Sequence, residues 1–354
     1  MPSGGPVSLA LTLQRPWQWF RKFWFAPISL RRLAIVRWLV GLTLLYLAIF
    51  RQSNMAYYDE RSLIPRSEAL SLLNEAYRPS VAAFFWPDAW ASGMHLALIA
   101  LLFLVTIGFL PRIFTVFAWV IYTGFTERNY GVLFGADYIG GILLLYLSIT
   151  QHSERLSLKA WIRKRWPDLF SKIWILQHNT FLTTSRSPNS FPHNWSQAFS
   201  TIGYRFLQLQ LGIIYAYTGF EKLKGASWWD GTALWTVMMN KQLALFDFSF
   251  LKYFPLVIPV MTFSTLIFEV YFPAAMLTPK LRNPWILTGL IFHLGIGMTL
   301  GLMPFSVLMV STYILFWDRS EWPSPQFEQL WKTRKLPARK PKMVVKARRP
   351  KVTT

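Results

Sequence analysis

Several ionisable residues stand within or against apolar runs of this sequence, where charge is expensive and each such group is a candidate site. Lys222, preceded by Glu221, follows the run from Gly203 to Phe220. Glu269 interrupts Leu266-Ile267-Phe268-Glu269-Val270-Tyr271-Phe272-Pro273, and His293 interrupts Ile291-Phe292-His293-Leu294-Gly295. A lysine so placed can serve as a general base. Desolvation and the like charge of Lys224 favour release of its proton, whereas pairing with Glu221 would oppose it. Its ordinary alternative is to snorkel, lifting the ammonium to the membrane surface. Glu269 and His293 are candidate supporting groups, or else polar bridges between helices. Tyr58 and Asp59 follow the first apolar run, and Asp137 and Tyr138 begin the fourth. With Tyr217, Glu221, Trp228 and Trp229 they are the residues expected to line one outward-facing substrate or cofactor cavity.

The elements that must hold these groups are helices in a bilayer. Of 354 residues, 53% are hydrophobic and 17% aromatic, yet the formal net charge is +21. The cations fall between apolar runs and at the ends, so basic cytoplasmic loops explain both facts and nucleic acid is not the expected partner. Cysteine is absent, which excludes disulfides, thiolate metal sites and thiol redox chemistry carried by the chain. The five histidines are scattered without metal-ligand spacing, and no metal is expected. No nucleophile elbow, HExxH, phosphate loop or dinucleotide fingerprint occurs. The long, basic, tryptophan-rich start does not have the form of a signal peptide.

The expected fold is all-α, a multi-pass inner-membrane protein with about eight transmembrane helices and both termini cytoplasmic. Residues 1–30 form a basic aromatic arm, either interfacial or partly ordered in the cytoplasm. The transmembrane domain covers residues 31–318. Its spans are Leu33 to Phe50, Met94 to Leu110, Ile113 to Phe125, Asp137 to Thr150, Gly203 to Phe220, one within Leu251 to Leu277, Trp285 to Leu302, and one ending near Trp317. Residues 51–93 are expected as an extracytoplasmic cap and the basic stretch 151–200 as a cytoplasmic loop. Residues 319–354 are a basic tail, either solvated or bound to anionic lipid.

Tyr215 to Gly231, with its tyrosine, glycine, Lys-Leu, tryptophan and glycine, is similar to a pattern of the HTTM family (horizontally transferred transmembrane domain). The best-known member of that family is the vitamin K-dependent gamma-glutamyl carboxylase. Weaker matches follow in family order: Tyr58-Asp59 with Ile64-Pro65-Arg66, Gly135-Ala136-Asp137, Glu269 followed by Phe272-Pro273, and His293 with the turn from Gly301 to Phe305. The resemblance implies that Lys222 is the catalytic base, matching the lysine that deprotonates reduced vitamin K. Oxygenation then supplies a strong base, and a glutamate side chain gains carbon dioxide. Near the start of its fourth span the carboxylase has an active-site histidine, where this sequence reads Gly135-Ala136-Asp137. A reduced quinone is the implied cofactor, and a secreted peptide the implied substrate. Smaller bacterial relatives share the membrane core, including one needed to mature a secreted peptide toxin. The alternatives are a non-catalytic membrane partner for peptide maturation or export, and a lipid or quinone binder.

Overall fold

The computed structural model describes residues 17–18, 20–21, 23–26, 28–52, 55, 58, 66–72, 86–109, 112–128, 134–168 and 195–317. These residues form an all-α protein of twelve α-helices and three short 3-10 turns. In chain order the helices are α1 (Leu30–Arg51), α2 (Arg66–Leu72), α3 (Ala91–Ile107), α4 (Arg112–Arg128), α5 (Gly135–Ile149), α6 (Leu158–Arg165), α7 (Trp195–Lys222), α8 (Ala226–Trp229), α9 (Ala233–Met238), α10 (Val257–Leu277), α11 (Pro279–Thr299) and α12 (Met303–Tyr313).

Local chemistry sets many of the ends. The Ser29 hydroxyl accepts from the Arg32 N–H and caps α1. Gly108 takes the left-handed conformation, at φ +66°, and stops α3. Pro279 opens α11, where a missing N–H costs no hydrogen bond. Pro273 lies inside α10 without ending it.

Helices adjacent in sequence pack as neighbours: α3 with α4, α4 with α5, α10 with α11, and α11 with α12. Non-sequential pairs close the bundle, since α1 packs on α3, α12 on α1 and α5, and α7 on α5 and α10. One continuous core runs through these contacts, including Leu44, Leu102, Tyr122, Leu144, Tyr215, Phe272 and Leu308. The outward faces are also apolar, with Trp38, Phe103, Phe117, Ile213, Ile267 and Ile291 exposed. Such faces are unfavourable in water and natural in hydrocarbon. Three stretches, Leu30–Arg51, Asp88–Ile107 and Val257–Leu277, are long and apolar enough to cross a bilayer. Gly135–Ile149 and Met303–Phe316 are shorter apolar helices.

A helix stands at each of the expected spans, with shifted ends. The third continues to Arg128, and the fifth begins at Trp195, eight residues before Gly203. The largest difference lies in the basic stretch 151–200, of which residues 151–168 are ordered against the bundle. There the buried Arg37 guanidinium donates to the carbonyls of His152 at 3.0 Å and Leu156 at 2.5 Å. The Lys159 N–H donates to the Gly108 carbonyl at 3.4 Å, tying α6 to the end of α3. A basic run therefore gains structure from a cation that the sequence places inside the first span. Most of the N-terminal arm, most of the 51–93 cap including Asp59, residues 169–194 of the loop, and the tail lie outside the described residues.

Candidate functional site

Lys222 is the last residue of α7, a helix of 28 residues. At about 1.5 Å per residue it is about 42 Å long. The turn after it is tight. The Leu223 N–H donates to the Gly219 carbonyl, Lys224 to Glu221 and Gly225 to Lys222, each at 3.1 Å. The Trp229 indole N–H donates to the Leu223 carbonyl at 2.8 Å and fixes α8 against the helix end. Through α8, Trp228 comes back towards Lys222, whose ammonium lies 5.4 Å from the centre of that ring.

The partner of Lys222 is Glu269 on α10. Its carboxylate accepts from the ammonium at 2.7 Å. The glutamate side chain is 7% exposed and the lysine 23%, so the pair sits at the wall of the bundle with one side open. Gly219 makes this approach possible. A Cβ there would lie 2.9 Å from the Val270 nitrogen and 3.2 Å from the Glu269 carbonyl carbon, both backbone atoms that cannot give way. Glycine at 219 and lysine at 222 share one helix face, so the close approach places the cation against the carboxylate. Glu221 is paired elsewhere: it accepts from Lys224 at 2.6 Å on the exposed side. That hydrogen bond and its charge raise the Lys224 ammonium above its usual range.

His293, on α11, belongs to a deeper layer. Its Nε2 is 2.6 Å from the Tyr215 hydroxyl, which also bonds the Tyr313 hydroxyl. Tyr215 shares the α7 face of Gly219 and Lys222 and lies roughly 10 Å below Lys222 at helical rise. Phe268 and Phe272 wall the tyrosine, at ring-centre distances of 5.3 Å and 4.2 Å. Gly289 admits the Tyr313 ring, since a Cβ there would fall 2.7 Å from its Cζ. Among the described residues, His293 Nδ1 and Ser306 Oγ are buried without a hydrogen-bond partner.

Asp137 and Tyr58 belong to a second cluster, around Arg51 at the end of α1. The guanidinium donates to the Asp137 carboxylate at 2.5 Å, and the Tyr122 hydroxyl donates to the same oxygen at 3.1 Å. Asp137 is 1% exposed. The rings of Tyr58 and Tyr122 each lie 5.9 Å from the guanidinium carbon. Asp137 also accepts from the Phe134 N–H at 3.4 Å and thereby starts α5. Tyr138, Tyr217 and Trp229 are exposed on the outside. The structure thus brings Lys222, Glu269 and Trp228 together, sets His293 beneath them, bonds Asp137 to Arg51 and places the Tyr58 ring beside the same guanidinium. Among the described residues, no group of three or more histidine, aspartate or glutamate side chains could hold a metal.

Sequence reasoning missed Arg51, Tyr122 and Tyr313. A cation at a helix C-terminus is what the macrodipole favours anyway, so Arg51 carried no separate signal. The tyrosines gave no signal, because a phenol fits a membrane helix with or without a partner.

No protein-family model matches the chain, and no solved structure matches it. Over 225 residues it is 26% identical to the uncharacterized protein YitO of Bacillus subtilis (strain 168), which covers 62% of this chain and 64% of YitO. Over 168 residues it is 23% identical to the sporulation-delaying protein SdpB of the same organism, covering 43% of this chain and 52% of SdpB. The chain therefore spans less than two thirds of the length of these curated relatives. It is a helical membrane protein distantly related to YitO and SdpB.

Proposed function

We propose that this protein crosses the inner membrane eight times with both ends in the cytoplasm, and that it is an enzyme of the gamma-glutamyl carboxylase type acting at the outer side on a peptide or small substrate. The supporting observation is the 2.7 Å contact between Lys222, partly exposed at a helix end, and the buried Glu269. An amine that is to take a proton must first lose its own. Glu269 is placed to receive it, so the pair can exchange between ammonium with carboxylate and amine with carboxylic acid without moving a proton far.

A reduced quinone fits this set of residues. Its phenolic O–H matches a neutral Lys222, and Trp228 offers a flat face beside the lysine. When bound, such a group would supply reducing equivalents and, with oxygen, the strong base needed to remove a proton from a glutamate side chain. The roles of the chain are narrower. Lys222 takes the phenolic proton, Glu269 holds the proton Lys222 has given up, and Trp228 keeps water from the amine. His293, Tyr215 and Tyr313 fix α7, α10, α11 and α12 relative to one another through their hydrogen bonds and the ring contact of Tyr215 with Phe272.

The test is Lys222→Ala in the native host, with mass spectrometry of secreted peptides for carboxyl groups added to glutamate. Loss of the modification with normal membrane insertion is expected. An unchanged peptide and phenotype would sink the base assignment. The second reading, a non-catalytic partner for peptide maturation or export, is favoured by one fact: the Lys222 ammonium is already satisfied, as in a purely structural clamp.

A further inference from the structure

We propose that the groove between the start of α1 and α6 binds the phosphate headgroup of an anionic phospholipid, with an acyl chain lying along the outer face of α1. The groove is a cavity of about 830 Å³ between Arg31 and the segment from Glu154 to Lys164. Its charge is one-sided. Arg31, Arg155, Arg163 and Lys164 line it, while the single acid, Glu154, is already bound by Lys159 and Arg163. Arg31, Arg155 and Lys164 are exposed and converge on one opening.

The rim is built rather than incidental. Leu156 holds a left-handed backbone, at φ +44°, a conformation unfavourable for a residue with a Cβ. The Arg37 guanidinium and the Trp38 indole both donate to its carbonyl, at 2.5 Å and 3.1 Å. Arg37 is fully buried, so an internal cation anchors the loop that carries Arg155. Trp161 stands on the same rim, exposed, with its ring edge-on to Trp166 at 5.0 Å. Paired indoles at this level suit the headgroup region.

Below the cations runs an apolar stripe. Arg31, Trp38, Leu42 and Ile49 recur at intervals of seven, four and seven and share one face of α1. The three apolar members are 50%, 49% and 55% exposed, on a helix long and apolar enough to cross a bilayer. A cationic mouth at the end of such a stripe matches an amphiphile with an anionic head. Free phosphate or an acidic peptide would use the mouth and leave the stripe unexplained.

The experiment follows thermal unfolding of the full chain in neutral detergent. Phosphatidylglycerol is expected to raise the midpoint by several degrees, and phosphatidylcholine or inorganic phosphate is expected not to. The variant Arg31→Gln, Arg155→Gln, Lys164→Gln should lose the shift. A second full-length variant, with Lys340, Lys342, Lys346, Arg348 and Arg349 changed to Gln, should keep it. A shift produced equally by phosphatidylcholine or by phosphate overturns the proposal, as does a shift lost only in the tail variant. For the wild-type chain, phosphatidylglycerol with a photoreactive acyl chain should label residues between Trp38 and Ile49. Labelling confined to other helices overturns the proposal even where the groove variant fails to fold.

Discussion

Glu269 meets Lys222 at 2.7 Å because Gly219, one turn before the lysine, lets the α7 backbone lie against that of α10. The ion pair is thus a product of backbone packing, and the glycine can be tested apart from the charges. Gly219→Ala inserts a methyl where only backbone stands opposite, and overpacking of this kind costs about 1–3 kcal/mol. The expected result is a lower unfolding midpoint in detergent and loss of any function that needs Lys222. In a Glu269→Gln background the same substitution should cost less, because the contact it disturbs is already weakened. Equal cost in both backgrounds would detach the glycine from the pair.

The two partners should not be equivalent. Lys222→Met leaves a carboxylate that is 7% exposed without its cation, and breaking a buried pair this way costs about 3–5 kcal/mol. Glu269→Gln leaves a lysine that is 23% exposed at a helix end, where it can turn outward. Loss of one charged hydrogen bond, on the order of 1.5–3 kcal/mol, is the expected cost there. Swapping the charges, Lys222→Glu with Glu269→Lys, should restore much of the stability. A structural clamp would work again in the swapped protein, whereas a base at position 222 would remain lost, so the host phenotype of this variant separates the two readings.

The helices and the candidate lysine were legible in the sequence for a physical reason: an apolar run long enough to span, ended by charge and indoles, has few other uses. Glu269 and His293 stood out because charge in hydrocarbon is costly, and that cost is indifferent to which neighbour relieves it. Hence the sequence marked Glu269 as a site without naming Lys222 as its partner. Glu221 was the nearer carboxylate in sequence and turned to Lys224 instead, since residues one apart diverge around a helix and residues three apart meet. The joining of Tyr215 to His293 and Tyr313 depends on how three helices pack, which periodicity along one helix does not encode.

Arg51 and Asp137 offer a second test of buried charge, away from Lys222. Arg51→Met leaves Asp137, 1% exposed, with the Tyr122 hydroxyl and the Phe134 N–H as its partners among the described residues, and should cost about 3–5 kcal/mol. Tyr122→Phe removes a single neutral donor and should cost about 1 kcal/mol. The double replacement Arg51→Met with Asp137→Leu should recover most of the loss, since two apolar side chains bear no desolvation cost. If the double variant is as unstable as Arg51→Met, the charges at this position serve more than packing.

Acid should weaken the ordered part of the basic loop first. Burial holds His152 well below its ordinary pKa of 6.5, and Arg37, Arg112 and Lys159 press the same way. For Glu154, burial alone would raise the pKa, but the Lys159 and Arg163 cations outweigh it and hold the carboxyl below 4.5. Both groups therefore bind protons more readily in the unfolded chain. Their contribution is complete above 6.5, and it falls once the unfolded His152 begins to take a proton that the folded protein refuses. Below 4.5 Glu154 adds a second loss of the same sign. The slope within each window is about 1.4 kcal/mol per pH unit for each group. Unfolding midpoints in detergent should be level above 6.5, fall below it, and fall more steeply below 4.5. His152→Gln should make the fall in the upper window shallower and leave the lower one unchanged. A midpoint that stays level through the upper window in the wild-type chain would show that His152 is not buried among those cations.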